Sequence, residues 1–157
     1  MSSTIVEEKK AVNEFYAGLS AAIRKELENA EQDLRVPRGY KLIQHGVHPG
    51  RLIILSAGTV EISVPSAGSD VVLGTAGPGK VFGMRAVVSG ELPEMNATCL
   101  EECDIAVIAG HVFSTLLSDN PQMYFAVAKV LSADLKIADQ LIRNCARKTS
   151  SLDRKTV

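Results

Sequence analysis

Residues 81–99 read VFGMRAVVSGELPEMNATC. A turn at Gly83 opening a short helix leaves backbone N–H groups unpaired, and such groups hold phosphates. The charges that would complete an anion site are missing. Arg85 is the one cation of the stretch, while Glu91 and Glu94 oppose an anion. Arg85 carries two readings: a solvated helix residue, which its position favours, and an anion ligand.

Other constellations carry less. GTAGPGKV (74–81) nearly spells a P-loop, yet Val81 replaces the Ser/Thr that must hold Mg²⁺, and the strand-like VFG follows in place of a helix. Cys99 and Cys103 are separated by three intervening residues without a second pair, and a structural zinc needs four ligands. They read as strand-end or core packing. His45 and His48, in QHGVHPG, read as turn residues. The tripeptide Asn96–Thr98 fits a glycosylation acceptor by coincidence. No nucleophile–base pair or paired carboxylates are placed for catalysis, and Glu7, Glu8, Glu26, Glu28, Glu101 and Glu102 sit in solvated runs. The expectation is no enzyme and no metal.

The chain has 157 residues, one domain's worth, and is 46% apolar, enough for its own core. Its net charge of −1 gives no overall attraction to nucleic acid or anionic membrane. Tryptophan is absent and aromatics make up 4%, which argues against a base-stacking surface. The opening MSSTIVEEKK is acidic and polar, unlike a signal peptide. Three cysteines, an odd number, then read as reduced thiols of a cytoplasmic protein.

Three zones position these residues. Residues 5–31 read as helical, with Ile23, Leu27 and Ala30 on one face and Ser20 as cap. From 34 to 110, glycines at 39, 46, 58, 68, 79 and 90 punctuate strand-like runs: YKLIQ, RLIILSAG, TVEISV, DVVLG, MNATCL and CDIAVIAG. In Thr59–Val64 the residues Val60, Ile62 and Val64 alternate with Glu61 and Ser63. Short strands at this spacing predict a jelly-roll barrel, mainly β, with flanking helices. A long helix is expected over about 121–147, with Asp119 or Asn120 as N-cap and Pro121 in its first turn. Along it Ala128, Leu131, Leu135, Ala138, Ile142 and Cys145 recur at heptad spacing, a seam for a second copy of the chain. A second stripe of Met123, Val127, Val130, Ile137 and Leu141 is left for the barrel. Residues 148–157 read as a disordered tail.

This order resembles the cyclic-nucleotide-binding domain, in detail the sensor half of the catabolite activator/FNR family of bacterial regulators. The resemblance rests on VPRGYKLIQHGVHPGRLIILSAGTVEI, PGKVFGMRAVVSG, ATCLEECDIAVI and FSTLLSDNP, with Gly58 and the Phe82–Gly83 pair its most specific pieces. It spans roughly residues 12–147 and implies a double-stranded β-helix with a long C-terminal dimerisation helix. The dimer contacts would be Leu131, Leu135, Ala138 and Ile142. The helix-turn-helix domain that follows in family members is not present in this sequence, so direct nucleic-acid binding is not expected.

The resemblance also implies a pocket. Family members present Phe–Gly–Glu, a short helix, then Arg followed by a small polar residue. The glutamate takes the ribose 2′-OH and the arginine the phosphate. Here Phe82 and Gly83 match, Met84 stands at the glutamate, Met95 at the arginine and Asn96 after it. The positions that would reach the base hold Ala138 and Asp139. Each charged hydrogen bond is worth about 1.5–3 kcal/mol, so losing both costs about 3–6 kcal/mol. Phe82, Gly83, Met84, Arg85, Met95, Asn96 and Thr98 are the candidate pocket, with cyclic AMP disfavoured and the effector unknown. The iron–sulfur role of the FNR branch is excluded because no cysteine precedes Cys99. A haem ligand from His45 or His48 is a minor reading. The expectation is a non-catalytic sensor module, homodimeric and without a membrane segment. The alternatives are a cyclic-nucleotide binder using Gly83, Arg85, Asn96 and Thr98, or a protein–protein adaptor.

Overall fold

The computed structural model describes residues 13–155, with the backbone alone at 141–142, 144–146 and 148–155. A 3₁₀ turn at Tyr16–Gly18 leads to α1 (Ala21–Ala30). Ser20 caps α1 by accepting the Ile23 N–H on its hydroxyl at 3.4 Å. The strands follow as β1 (Gln32–Val36), β2 (Lys41–Ile43), β3 (Arg51–Ala57), β4 (Val60–Val64), β5 (Val71–Ala76) and β6 (Val81–Phe82). Then come α2 (Met84–Ser89), β7 (Asn96–Cys99), β8 (Cys103–Ala109), α3 (Gly110–Asp119) and α4 (Met123–Lys155). No helix among the described residues is long and apolar enough to cross a membrane.

Two antiparallel sheets form the β-roll, ordered β1-β8-β3-β6 and β2-β7-β4-β5. The first sheet is covered on both sides, which explains its unbroken apolar runs. Along β3, Ile53 and Leu55 enter the barrel core while Leu52 and Ile54 pack under the helices. Ile105 and Val107 of β8 likewise face the barrel, and Ala106 and Ile108 face the helices. The alternation expected in β4 holds at Val60 but not at Ser63, which is buried. A register shift against β5 between Ile62 and Ser63 disturbs the pleat there.

Gly58 turns β3 into β4 with φ of 107°, and a Cβ there would lie 2.5 Å from Cys103 Sγ. Gly58→Ala is expected to cost about 3 kcal/mol, from about 1–2 of left-handed strain and about 1–3 of forced repacking. At about 2–4 °C per kcal/mol for a chain of this size, the melting midpoint falls by about 6–12 °C. Circular dichroism measures it, and an unchanged midpoint would show that Cys103 yields freely.

The long helix departs from expectation at both ends. Asn120 closes α3 rather than opening α4: its N–H and Nδ2 both donate to the Leu116 carbonyl, at 3.0 and 2.9 Å. Pro121 and Gln122 form a turn, and α4 begins at Met123. The helix then runs 33 residues to Lys155, through most of the stretch expected to be disordered. No glycine or proline interrupts residues 148–155, and Arg154 and Lys155 near its end suit the C-terminal pole of the helix dipole. Met123, Ala126, Val127 and Val130 seat it on the helical core. Ile137, expected on that stripe, is exposed, and the Leu141 side chain lies outside the described residues. Asp134 ties the helix down through Lys80 of the β5–β6 turn, and Glu14 Oε1 lies 3.6 Å from the same Lys80 Nζ.

Candidate functional site

The site grows from the end of β6. Phe82 points into the barrel core opposite Ile53, its partner in register on β3. Gly83 then turns the chain with φ of 89°, and a Cβ on it would fall 2.7 Å from the Arg51 carbonyl oxygen. Only glycine fits this turn on both counts. Because the turn breaks strand alternation, Met84 swings to the other side of the sheet. It is 1% exposed, in the helical core with Leu52, Phe113 and Met123.

The short helix α2 is fixed from the β2–β3 loop. His48 Nδ1 accepts the Gly50 N–H at 2.9 Å, which leaves Nε2 to donate to the Ala86 carbonyl at 3.0 Å. Both ring nitrogens are thereby engaged. Arg85 stands on the exposed side of α2, paired with Glu91. Ser89 donates to the Arg85 carbonyl at 2.6 Å.

The remaining candidates lie on and before β7. Ala97 and Cys99 belong to the barrel core, while Met95 lies in the bend just before β7 and is 36% exposed. Thr98 lies on the opposite face, level with Lys41 and Glu61 on the flanking strands. Asn96 is buried, and its Oδ1 accepts the His45 N–H at 2.8 Å. Phe82 thus lies in the barrel core with Gly83 beside it, whereas Met84, Arg85 and Thr98 face elsewhere and Met95 is exposed in the bend before β7.

Arg51 was missed. It shares its parity on β3 with Ile53 and Leu55, and so faces inward beside the Gly83 turn. Its guanidinium donates to the Tyr40 hydroxyl at 2.9 Å, and Tyr40 packs on the barrel core. The signal was present in the sequence: RLIILSAG places a cation two residues before an inward-facing isoleucine.

Lower in the barrel, Cys99 and Cys103 are buried free thiols. Burial, with the neighbouring Cys103 thiol adding to it, pushes the Cys99 thiol up to about 12. Among the described residues no group of three or more His, Cys, Asp or Glu could hold a metal ion. In the near-P-loop, Gly79 ties the β5–β6 turn to β3 by donating to the Leu55 carbonyl at 2.8 Å, and Lys80 is spent on Asp134.

A family model described as the cyclic nucleotide-binding domain matches residues 33–120. No curated protein matches the chain. Among solved structures, the chain superposes on the catabolite activator protein of Thermus thermophilus with a TM-score of 0.71 at 18% identity, over 85% of this chain and 63% of that one. It superposes on the sensor domain of the transcriptional regulator DNR of Pseudomonas aeruginosa with a TM-score of 0.68 at 16% identity, over 84% of this chain and 89% of that one. A third likeness is to the regulatory domain of Toxoplasma gondii PKA, solved with cAMP, with a TM-score of 0.65 at 21% identity, over 72% and 43% of the two chains. The chain therefore spans less than two thirds of the Thermus and Toxoplasma proteins.

Proposed function

The chain belongs to the cyclic nucleotide-binding domain family, and from that premise we propose that it is a non-catalytic regulatory sensor whose pocket does not take cyclic AMP in the usual way. One observation carries the reading. The position that should offer an acceptor to the sugar holds Met84, and Met84 is locked in the core on the far side of the sheet. The expected phosphate position holds Met95, which brings no charge, and Arg85 is engaged by Glu91 outside the barrel.

The same placement supplies a route from site to output. Met84 of α2 and Met123 of α4 lie in one packed cluster, so a shift of the Gly83 turn presses on the base of the long helix. A ligand that favours one packing of these helices biases a two-state element. The output surface is the exposed side of α4, which we assign to a second copy of the chain in a cytoplasmic homodimer. Leu135 and Ala138 lie on it, while Leu131 packs partly on its own core; the Ile142 side chain lies outside the described residues.

Calorimetric titration of the full chain with cyclic AMP and cyclic GMP tests the pocket. With both polar anchors absent, a micromolar site weakens by about 3–6 kcal/mol, to a dissociation constant above about 100 µM. A value below about 10 µM for either nucleotide overturns the reading.

A further inference from the structure

We propose that Arg51 and Tyr40 form an anion clamp inside the barrel, and that the ligand they take is a small acid with one carboxylate on an apolar body. The inference rests on the sensor reading above and names the ligand class of the same pocket. A guanidinium has five N–H donors, and the structure assigns one of them, to the Tyr40 hydroxyl. Among the described residues Arg51 meets no carboxylate, whereas Arg35, Arg85 and Arg143 each pair with one. Tyr40 accepts from Arg51 and keeps its own O–H to donate. The pair therefore presents a planar fork and a hydroxyl, a set that suits the two oxygens of one carboxylate.

The surroundings select the rest of the ligand. The barrel side near the clamp offers Ile53, Phe82, Ile62 and Ala97, and among the described residues no acidic side chain is buried. A ribose would find no buried carboxylate for its hydroxyls, and a buried unpaired hydroxyl is costly. A hydrocarbon body loses nothing there. Arg51 also joins the ligand to the output, because its own carbonyl abuts the Gly83 turn that leads into α2.

The test is calorimetry on the full chain with octanoate, with octanol as the neutral probe of equal length, and with cyclic AMP. Octanoate is expected to bind at least about tenfold more tightly than octanol, as one charge-assisted contact requires. Arg51→Met keeps the apolar stem and is expected to erase that difference. Tyr40→Phe keeps the ring and is expected to weaken octanoate several-fold while leaving octanol unchanged. Equal binding of octanoate and octanol by the wild type overturns the clamp, as does undiminished octanoate binding by a folded Arg51→Met. Should Arg51→Met fail to fold, Tyr40→Phe decides, and unchanged octanoate affinity overturns the clamp. The cyclic AMP arm separates the two ideas. Micromolar cyclic AMP binding that Arg51→Met abolishes removes the sensor reading and the carboxylic-acid assignment, and keeps only the anion clamp. Micromolar binding that Arg51→Met leaves intact removes them all.

Discussion

Met84→Glu, the substitution that restores the family's acidic residue, is expected to destabilise the domain severely rather than equip its pocket. The side chain is 1% exposed and packed among Leu52, Phe113 and Met123. Burial of the methionine is worth about 1.5–3 kcal/mol, which the variant forfeits. An unpaired carboxylate in its place pays an effective desolvation penalty of several kcal/mol, or takes up a proton to avoid it. A total of about 4–6 kcal/mol approaches the whole stability of an ordinary domain. The melting midpoint then falls by about 10–20 °C. The pH dependence has a definite sign. Burial raises the folded-state pKa of the new acid above its ordinary value of about 4.3. The neutral acid is the better tolerated form, so the deficit is smallest in acid and grows as pH rises through the carboxylate range. Melts at pH 4.5 and 7.5 read this directly. Met95→Arg is the contrasting case: at a rim position 36% exposed, it is expected to move stability by no more than about 0.5 kcal/mol. A Met84→Glu protein with the wild-type midpoint and micromolar affinity for cyclic AMP would mean that α2 rotates to present this side chain inward.

The same residue shows where sequence reading stops. The barrel was legible because glycines punctuate its runs and because β3 and β8 are apolar on both faces. Edge strands carry less signal. β1 reads QDLRV and buries only Val36, since it lies at the margin of its sheet. β6 is two residues long, too short for any periodicity. At the site, Phe82–Gly83 was recognisable as a motif, but the direction of Met84 was not. Alternation predicts the face of a side chain only while the chain stays extended, and the left-handed turn at Gly83 ends that condition. Arg51 hid for the opposite reason. It obeys alternation, yet a cation at the head of a hydrophobic strand reads as a solvated strand end until the Gly83 turn and Tyr40 are placed against it.

Leu135→Asp is expected to separate the chain into monomers without unfolding the barrel. On α4 the residues that seat the helix, Met123, Ala126, Val127 and Val130, occupy one face. Leu135 is 72% exposed and Phe125, nearly three turns earlier on the other side of the helix from that seat, is 79% exposed. Beyond Asp134 the helix continues for 21 residues with its tie to the barrel behind it. Helix stability in proteins comes mostly from packing of an apolar face, so the exposed Leu135 and the heptad seam on which it lies ask for a partner helix. A second copy of the chain satisfies it with the same residues on both sides. Each Leu135 buried in such a seam contributes about 1.5–3 kcal/mol, and a two-fold axis counts it twice. Aspartate removes both contributions and sets like charges near each other, raising the dimer dissociation constant by a factor of about 10² to 10⁴. Sedimentation velocity is expected to show a dimer for the wild type and a monomer for the variant at equal concentration, with barrel stability retained because Leu135 is largely exposed on its own chain. A variant that still sediments as a dimer would place the interface elsewhere, and Phe125 with Tyr124 beside it would then be the next surface to alter.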